Sequence, residues 1–456
     1  MKFGGSSVVD ANAISQVRSI VERQLHKQAG DDRPPVVVVS ALGGVTDRLL
    51  NAASVAEQGD SDSAVASLHE LVARHCSVAS ALTTGKRRED LLAHVRDEFA
   101  TAIGLIRAVG VIREISPRSL DAVAAAGELA SSRIVAAALT EAGVPTVWID
   151  SRTIVITDAE HTGAAPDMAE TCARTRTALD GAAASRRVVV MGGFIGATPD
   201  GITTTLGRGG SDYSAAIVGA CLDVDEIQIW TDVDGMLTAD PRVVKEPRLV
   251  SELSFAEASE LAYFGAKVLH PATIQPAMAK DIPVRILNSR RPEIAGTLIT
   301  SRPGAAVHGP LAAIACKRNA TVVDITSTRM LMAYGFLRRL FEVFERFKTP
   351  VDVVTTSEVS VSVTVDDTRR LDAVMENLRH FAEVSCEPSM AIICMVGENL
   401  PNDPTVFARA VTAIDRIPLR LVSQAAARRN ITFVLRDADA PEAMTRLHDE
   451  FFSTKS

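Results

Sequence analysis

Short apolar segments separated by long helical patterns dominate roughly the first 300 residues. Five of them are rich in Val and Ile and are bounded by Gly, Pro or Asp, at residues 35–40, 145–149, 187–191, 226–231 and 282–287. Helical patterns, such as residues 10–28 and 119–142, lie between them. Strands that are apolar on both faces and joined by helices form a parallel sheet covered on both sides. The sequence therefore predicts an α/β fold, an open sandwich with a mostly parallel central sheet.

Beyond this region the pattern changes at residues 301–310, SRPGAAVHGP, where two Pro and two Gly predict a domain boundary. A helical segment, a proline and two strand-like segments then occur twice, with Pro350 and Pro418 in matching places. Residues 359–365 alternate Val with Ser or Thr, which indicates a half-buried strand. We predict two small α+β units that pack on each other. The predicted domains are residues 1–302, 311–388 and 389–456.

Charge and hydropathy exclude several classes of function. The 456 residues include 48 basic and 56 acidic ones, and the net charge of -8 disfavours nucleic-acid binding. The longest apolar runs, such as residues 36–39, are far shorter than the about 20 residues that span a bilayer. The start, MKFGGSSVVDANAIS, has no signal-peptide pattern, and the six cysteines, without a CxxC pair, are expected to be free thiols. We predict a cytoplasmic protein without nucleic-acid or membrane partners.

Two Gly-rich loops have the composition of anion-binding sites. Residues 2–7 (KFGGSS) and 206–212 (LGRGGSD) each precede a helical pattern, whose N-terminus attracts phosphate or carboxylate groups. Lys2 supplies a positive charge, and Arg208 is suited to bidentate binding of a carboxylate. Asp212 is suited to binding a metal or orienting a cation. Simpler interpretations stay open: an incidental Gly pair in the first loop, and a helix-capping turn in the second.

Weaker signals lie elsewhere. Residues 230–242 (WTDVDGMLTADPR) follow a strand, at the edge where open α/β sheets bind ligands, although a purely structural turn explains the Asp-Gly pair equally well. Gly127 inside a helical pattern costs about 1 kcal/mol relative to Ala, which favours close packing or ligand approach there. Glu128 alone would usually be a solvated residue, and His270 a helix-end residue. Two anion-binding loops without a nucleophile motif favour phosphoryl transfer.

Six motifs in register make the chain resemble the aspartate kinases of the amino acid kinase family over essentially its whole length. They are KFGG[TS]S, SAxxGxT, GE, GRGGSD, TDVDG…TADPR and FGAKVLHP, found at residues 2–7, 40–46, 127–128, 207–212, 231–242 and 264–271. The resemblance implies ATP-dependent phosphorylation of the β-carboxylate of L-aspartate, the first step toward lysine, threonine and methionine. It implies ATP and Mg²⁺ as cofactors, with the Mg²⁺ bound through ATP and not directly by protein side chains.

The resemblance also assigns roles to single residues. Lys2 and Asp212 would be catalytic, with Lys2 neutralising the transferred phosphoryl group and Asp212 organising the cations. Aspartate would contact Ser40, Thr46, Glu128, Arg208 and Ser211. Of these, Glu128 would face its α-ammonium group and Arg208 its α-carboxylate. The nucleotide would contact Lys2, Gly4, Gly5, Ser6, Thr231, Asp232, Arg242 and Lys267. The attacking carboxylate is already an anion, so no general base is needed.

The C-terminal repeat resembles a pair of ACT domains, which bind amino-acid effectors. Residues 330–337 and 351–359 are similar to the effector site of lysine-inhibited aspartate kinases. The implied effector residues are Met330, Gly335, Phe336, Leu337, Asp352, Ser357 and Glu358. L-Lysine would bring ammonium groups to Asp352 and Glu358. The resemblance further implies a homodimer or homotetramer formed through the ACT domains. It also implies a nested arrangement in which residues 311–326 pair with the second ACT domain.

The chain departs from the family pattern at three places. Leu237 stands where a Tyr near the nucleotide is usual, and Ala333 where lysine-sensitive members often have Ser. Only Met1 precedes Lys2 where the family has a complete strand, so we expect the first strand to be missing from the sequence as given. Two alternatives stay open: a kinase for another amino acid such as glutamate, and a non-catalytic amino-acid sensor of the same fold.

Overall fold

A computed structural model describes residues 1–27, 33–265, 271–303, 311–327, 334–398, 400, 403–424 and 429–453. The chain divides into two units by its internal contacts. The first comprises Met1–Met236 and Val268–Pro303, and the second comprises Leu237–Lys267 and Gly304–Ser456. The segment Leu237–Lys267 thus belongs to the second unit, although it lies within the predicted domain 1–302.

The strands and helices are numbered in chain order. The strands are β1 (Lys2–Phe3), β2 (Val36–Val39), β3 (Thr146–Ile149), β4 (Val188–Gly192), β5 (Ile195–Ala197), β6 (Thr203–Thr205), β7 (Ile227–Thr231), β8 (Glu252–Ser254), β9 (Val284–Asn288), β10 (Thr297–Thr300), β11 (Ala313–Thr326), β12 (Val354–Thr356), β13 (Ser360–Val365), β14 (Glu383–Val396), β15 (Leu419–Gln424) and β16 (Asn430–Arg436). The helices are α1 (Ala11–Lys27), α2 (Val45–Glu57), α3 (Ser61–Leu82), α4 (Gly85–Ile112), α5 (Pro117–Glu141), α6 (Met168–Ala184), α7 (Gly210–Leu222), α8 (Phe255–Tyr263), α9 (Gln275–Ala279), α10 (Phe336–Arg346), α11 (Leu371–Arg379), α12 (Pro404–Ala413) and α13 (Ala440–Phe452).

The sheet of the first unit has β1 at its centre. Its strand order is β3–β4–β2–β1–β7–β9–β10, parallel throughout except for the antiparallel pair of β9 and β10. Lys2 is in register with Val38 of β2 on one side and Ile229 of β7 on the other. Lys2 and Phe3 themselves form a short strand here, so the first strand is not wholly missing; that residues before Met1 are missing from it stays a prediction. The carbonyl of Met1 extends the pairing by accepting a 2.9 Å hydrogen bond from the Val38 N–H.

Helices cover both faces of this sheet. Val188 and Val190 of β4 belong to the apolar cluster that includes α5, whereas Val189 packs with Leu179 of α6. Successive side chains of a strand point to opposite faces, so the two helices lie on different sides. The predicted α/β sandwich with a mostly parallel sheet is confirmed.

Helix α5 is long and apolar enough to cross a membrane, the only such helix among the described residues. However, 83% of its most apolar window is buried inside the protein. It packs against β2, β3 and β4. Such burial is typical of the core helix of a globular protein.

The prediction that all cysteines are free thiols is wrong for one pair. Cys172 of α6 and Cys221 of α7 form a disulfide, with their Cα atoms 4.6 Å apart. They are 49 residues apart in the chain, and only the packing of α6 against α7 brings them together. The other cysteines are free, at Cys76, Cys316, Cys386 and Cys394. The cytoplasmic location, which we inferred partly from free thiols, stays a prediction.

The second unit contains an antiparallel sheet with the order β12–β13–β11–β14–β16–β15. Residues 321–326 of β11 pair with β13, whereas residues 313–317 pair with the part of β14 that also pairs with β16. Helices α10 and α11 pack on the β13 half, and α12 and α13 on the β16 half. The predicted pair of α+β folds is confirmed, while the boundaries at 311–388 and 389–456 stay a prediction.

A buried histidine lies among the helices of the first unit. His75 of α3 is fully buried, its ring packs on Phe99, and its Nδ1 lies 2.7 Å from the Leu71 carbonyl oxygen. Its Nε2 has no hydrogen-bond partner among the described residues. Burial lowers the pKa of His75 to about 4, because the charged ring would lose its hydration.

We expect this histidine to make the fold sensitive to acid. The unfolded chain binds the proton below its ordinary pKa of about 6.5 and the folded chain only below about 4, so stability is lost as pH falls between these values. The loss from this group between pH 7 and pH 5 is about 2 kcal/mol. Denaturant unfolding at pH 7 and pH 5 measures the free energy of unfolding. Its decrease between the two pH values should be about 2 kcal/mol smaller for His75→Phe than for the wild type. Equal losses would contradict the assignment.

Candidate active site

A cavity of about 610 Å³ lies where the loops after β1 and β2 meet the start of α7. Open parallel sheets bind their ligands at this carboxyl edge. The predicted site residues that line it are Lys2, Gly5, Ser40, Thr46, Glu128, Arg208, Ser211 and Asp212. A second cavity, of about 550 Å³, lies at the amino ends of the strands and contains none of the predicted site residues.

Lys2 and Asp212 form an ion pair at the centre of this site. The Lys2 Nζ lies 2.7 Å from Asp212 Oδ1, and Lys2 is only 8% exposed. Lys2 is held by strand pairing on both sides of β1, and Asp212 lies in the first turn of α7. Two different elements therefore fix the position of the ammonium group.

The start of α7 forms an anion-binding corner. Gly209 precedes the helix with a φ of 72°, a left-handed conformation that glycine adopts readily. The first N–H groups of α7 have no acceptor within the helix, so its N-terminus attracts negative charge. Arg208 is exposed and makes no ion pair with a described residue. This free guanidinium and the helix N-terminus line the same cavity.

The glycine beside Glu128 lets α5 approach the loop after β2. A Cβ on Gly127 would lie 2.9 Å from Val45 Cγ1 and 3.1 Å from the Ala41 Cβ. Of the two reasons considered for this glycine, the structure therefore supports close packing. The approach brings Glu128 to the wall of the cavity.

Glu128 is a buried carboxyl group that forms no ion pair with a described residue. It is 2% exposed, and its Oε2 has no hydrogen-bond partner among the described residues. Burial raises the pKa of Glu128 to about 8, although a hydrogen bond from the Ala41 backbone and the charge of Lys2 both act to lower it. A carboxyl group in this state is a binding site for a cationic group that enters the cavity.

The loop from Ser40 to the start of α2, where Thr46 lies, is held by an arginine that the sequence analysis did not identify. Arg74 of α3 donates hydrogen bonds of 2.9 Å to the carbonyl oxygens of Gly43 and Val9. It thus joins the loop after β2 to the segment after β1. No local pattern marks Arg74, because its partners lie 31 and 65 residues away.

Some predicted residues lie elsewhere. Those of the first unit that do not line the cavity are Gly4, Ser6, Thr231 and Asp232. Arg242 lies in the second unit, where its guanidinium pairs with Asp240 at 2.6 Å. Lys267 lies outside the described residues. Conversely, the cavity is lined by Asp121, Thr162 and Thr205, which the sequence analysis missed.

The predicted effector residues that the structure describes lie on the β13 half of the second unit. Gly335 has a φ of 80° and directly precedes α10, whose first residues are the buried Phe336 and the exposed Leu337. Ser357 and Glu358 are exposed, and the hydroxyl of Ser357 lies 2.6 Å from that of Ser360. The predicted Met330 and the departing Ala333 lie outside the described residues.

Asp352 of this group is buried and already holds one ammonium group. Its side chain is 2% exposed, and its Oδ1 accepts 2.8 Å hydrogen bonds from Lys317 Nζ and the Tyr263 hydroxyl. Lys317 also pairs with Asp366 at 2.7 Å. Asp352 Oδ2 has no hydrogen-bond partner in the part of the chain that the structure describes. One buried carboxylate oxygen is therefore available to a second donor.

Comparisons with known proteins agree with this architecture. Residues 1–288 match the model of the amino acid kinase family, and residues 393–451 match an ACT domain model. The chain is 32% identical over 460 residues to lysine-sensitive aspartokinase 3 of Escherichia coli K12. The alignment covers 99% of this chain and 98% of the relative. The chain belongs to the aspartokinase family. This aspartokinase is also 35% identical to the chloroplastic aspartokinase 3 of Arabidopsis thaliana, over 100% of this chain and 81% of the relative.

Solved structures of the family have the same fold. Two structures of E. coli aspartokinase III superpose with a TM-score of 0.82 at 32% identity, covering 99% of both chains. One is a complex with lysine and aspartate in the T-state, and the other a complex with aspartate and ADP in the R-state. Membership of the aspartokinase family, which the six motifs predicted, is confirmed.

Proposed function

We propose that the protein transfers the γ-phosphoryl group of ATP to the β-carboxylate of L-aspartate, giving 4-phospho-L-aspartate. The charge pattern of one cavity carries this proposal: a held cation, Lys2, a free cation, Arg208, and an unpaired buried carboxyl group, Glu128. L-Aspartate has two carboxylates and one ammonium group, so it needs two cationic contacts and one anionic contact. The E. coli relative has been solved with aspartate and with ADP.

Aspartate would be held at its amino-acid end. Arg208 pairs with the α-carboxylate through two N–H groups, and Glu128 accepts the α-ammonium group. The hydroxyls of Ser40, Thr46 and Ser211 line the same cavity and donate to the carboxylates. This orientation leaves the β-carboxylate free to face the phosphate donor.

The transfer itself needs positioning more than proton chemistry. A β-carboxylate oxygen forms a bond to the γ-phosphorus while the bond from phosphorus to the bridging oxygen of ADP breaks. Lys2 and the N-terminus of α7 stabilise the charge on the transferred group, without reorganising during the reaction. We propose further that the nucleotide contacts the residues that the resemblance implies. These are Gly4, Gly5, Ser6, Thr231, Asp232, Arg242 and Lys267.

Mg²⁺ would enter this site with ATP. Among the described residues no three His, Cys, Asp or Glu side chains form a metal cluster, and Asp212 is a single carboxylate paired with Lys2. Such a site fits Mg²⁺, which binds through one or two carboxylates and the substrate phosphates. When bound, the ion neutralises charge on the phosphates.

We propose L-lysine as the inhibitory effector of this enzyme, bound in the second unit. The unpaired Oδ2 of Asp352 can accept an ammonium group of lysine, and the exposed Glu358 can pair with the other. The lysine-sensitive E. coli relative, solved with lysine, supports this choice. Inhibition requires that lysine bind one of two conformations more tightly than the other.

An exposed apolar stripe supports association through the same half of the second unit. Tyr334, Leu337 and Phe341 are exposed at and along the first turns of α10. Leu337 and Phe341 are four residues apart and lie on one side of the helix, and Tyr334 lies two residues before its start. Apolar patches of this kind are typical of protein interfaces. We propose that they contribute to a homodimer or homotetramer.

The function is tested by trapping the acyl phosphate with hydroxylamine. Purified protein with ATP, Mg²⁺ and L-aspartate should form the hydroxamate, and L-glutamate should not replace aspartate. Lys2→Ala should lower kcat by about 10² to 10³, because it removes charge stabilisation in the transition state, with little change in melting temperature. Lys86→Ala, on an exposed lysine, is the matched control. Turnover of glutamate alone, or an unchanged kcat in Lys2→Ala, would refute the proposal.

The raised pKa of Glu128 predicts that aspartate binding improves as pH rises. Before aspartate binds, Glu128 is mostly protonated below about pH 8, and only its carboxylate form pairs with the ammonium group. The apparent KM for aspartate should therefore fall roughly twentyfold between pH 6.5 and pH 8.5. Glu128→Gln should raise the KM and remove most of this pH dependence. A wild-type KM that is constant over this range would contradict the role of Glu128.

The effector proposal predicts a selective loss of inhibition. Asp352→Asn should raise the lysine concentration for half-inhibition about tenfold or more, because it removes the charge that accepts the ammonium group. The KM for aspartate should stay unchanged. Asp366→Asn is the matched control, since Asp366 also pairs with Lys317 but is more exposed. Inhibition by threonine and not by lysine, in the wild type, would overturn the effector assignment.

A further inference from the structure

We infer that Asp121, with His161, is a positioning group that holds the wall of the aspartate pocket beside Arg208. This inference rests on the proposed function, because it describes how the cavity binds aspartate. Asp121 lies in the second turn of α5, lines the cavity and has a side chain that is only 1% exposed.

The carboxylate of Asp121 is fully occupied by donors from the protein. Its Oδ1 accepts a 2.6 Å hydrogen bond from the Thr205 hydroxyl, and its Oδ2 lies 2.7 Å from His161 Nδ1. Both oxygens share the backbone N–H of Thr162 at 3.1 Å. A buried carboxylate that is satisfied in this way is not free to bind a substrate. Asp121 therefore acts through the residues that it holds.

These residues connect three parts of the site. Thr205 ends β6, three residues before Arg208. His161 and Thr162 belong to the loop 158–167, which packs against the end of β6 through a 2.9 Å hydrogen bond from the Ala164 N–H to the Thr205 carbonyl oxygen. Asp121 itself lies two helical turns before Glu128 on α5. One carboxylate thus sets the distance between the proposed partners of the α-carboxylate and the α-ammonium group.

The backbone of Thr162 gives independent support. Its φ is 70°, a left-handed conformation that a β-branched residue rarely adopts. Such conformations persist only where the surroundings hold them, and they cluster at ligand sites. The hydrogen bonds from the Thr162 N–H to the Asp121 carboxylate stabilise this conformation. A Cβ on Gly207 would lie 3.2 Å from the Thr162 carbonyl oxygen, so Thr162 packs directly on the loop of Arg208.

Two variants test the role by separating substrate binding from turnover. Thr205→Val keeps the side-chain shape but removes the donor to Asp121, and Asp121→Asn removes the charge. Both should raise the KM for aspartate about tenfold, while kcat and the KM for ATP change less than about twofold. Thr205→Ser, which keeps the hydroxyl, should restore a KM near that of the wild type. Thr205→Val alone decides the question if Asp121→Asn does not fold.

A matched control distinguishes positioning from general stability. Thr171 is fully buried, and its hydroxyl exchanges hydrogen bonds of 3.0 and 3.2 Å with the backbone of Ile156, but it does not line the cavity. Thr171→Val should lower the melting temperature and leave the KM for aspartate unchanged. If Thr205→Val shifts this KM no more than Thr171→Val does, while the wild type turns over aspartate, only the positioning role is overturned. A wild type that does not turn over aspartate would overturn the proposed function and this inference together.

Discussion

The ion pair between Lys2 and Asp212 joins the two elements on which the site depends. The central strand β1 has only two residues, yet β2 and β7 pair with it on both sides, and α7 begins where a left-handed Gly209 turns the chain. A cation is thereby held where the carboxyl edge of a parallel sheet meets a helix N-terminus, the two features that most favour phosphate binding. The cavity lies here because the strand order places the loops after β1 and β2 side by side.

Charge balance within the cavity explains the raised pKa of Glu128. Lys2 pairs with the Asp212 carboxylate, whereas Glu128 has no charge partner among the described residues and has a raised pKa as a consequence. A buried carboxyl group without a partner is unfavourable in its charged form, and a bound ammonium group removes that cost. The site is therefore complementary to a ligand with one positive and several negative groups, which is the charge pattern of aspartate together with ATP.

The second unit combines Leu237–Lys267 with Gly304–Ser456, two segments that the sequence analysis assigned to different domains. Leu237–Lys267 contains part of the motif implied to bind the nucleotide, and it ends at Lys267, yet its contacts are with the ACT-like fold. Tyr263 at the end of α8 donates to Asp352, the carboxylate proposed for the effector. Asn430 of β16 donates to Glu260 of the same helix at 2.8 Å. Helix α8 is thus hydrogen-bonded to both halves of the second unit's six-stranded fold.

Local patterns in the sequence determined β2, β3, β4, β7 and β9, the sandwich of helices and sheet, the two α+β repeats and the Gly-rich loops around Lys2 and Arg208. These features follow from residue spacing, since periodicity shows which face of an element is buried and glycine marks where the backbone turns. Only the tertiary structure decided that Cys172 meets Cys221, that Asp121 joins β6 to the loop 158–167, and that Lys317 occupies Asp352. In each of these cases the partners are 35 or more residues apart. A periodic pattern shows that a face is covered but not which distant segment covers it, so these contacts depend on how the elements pack.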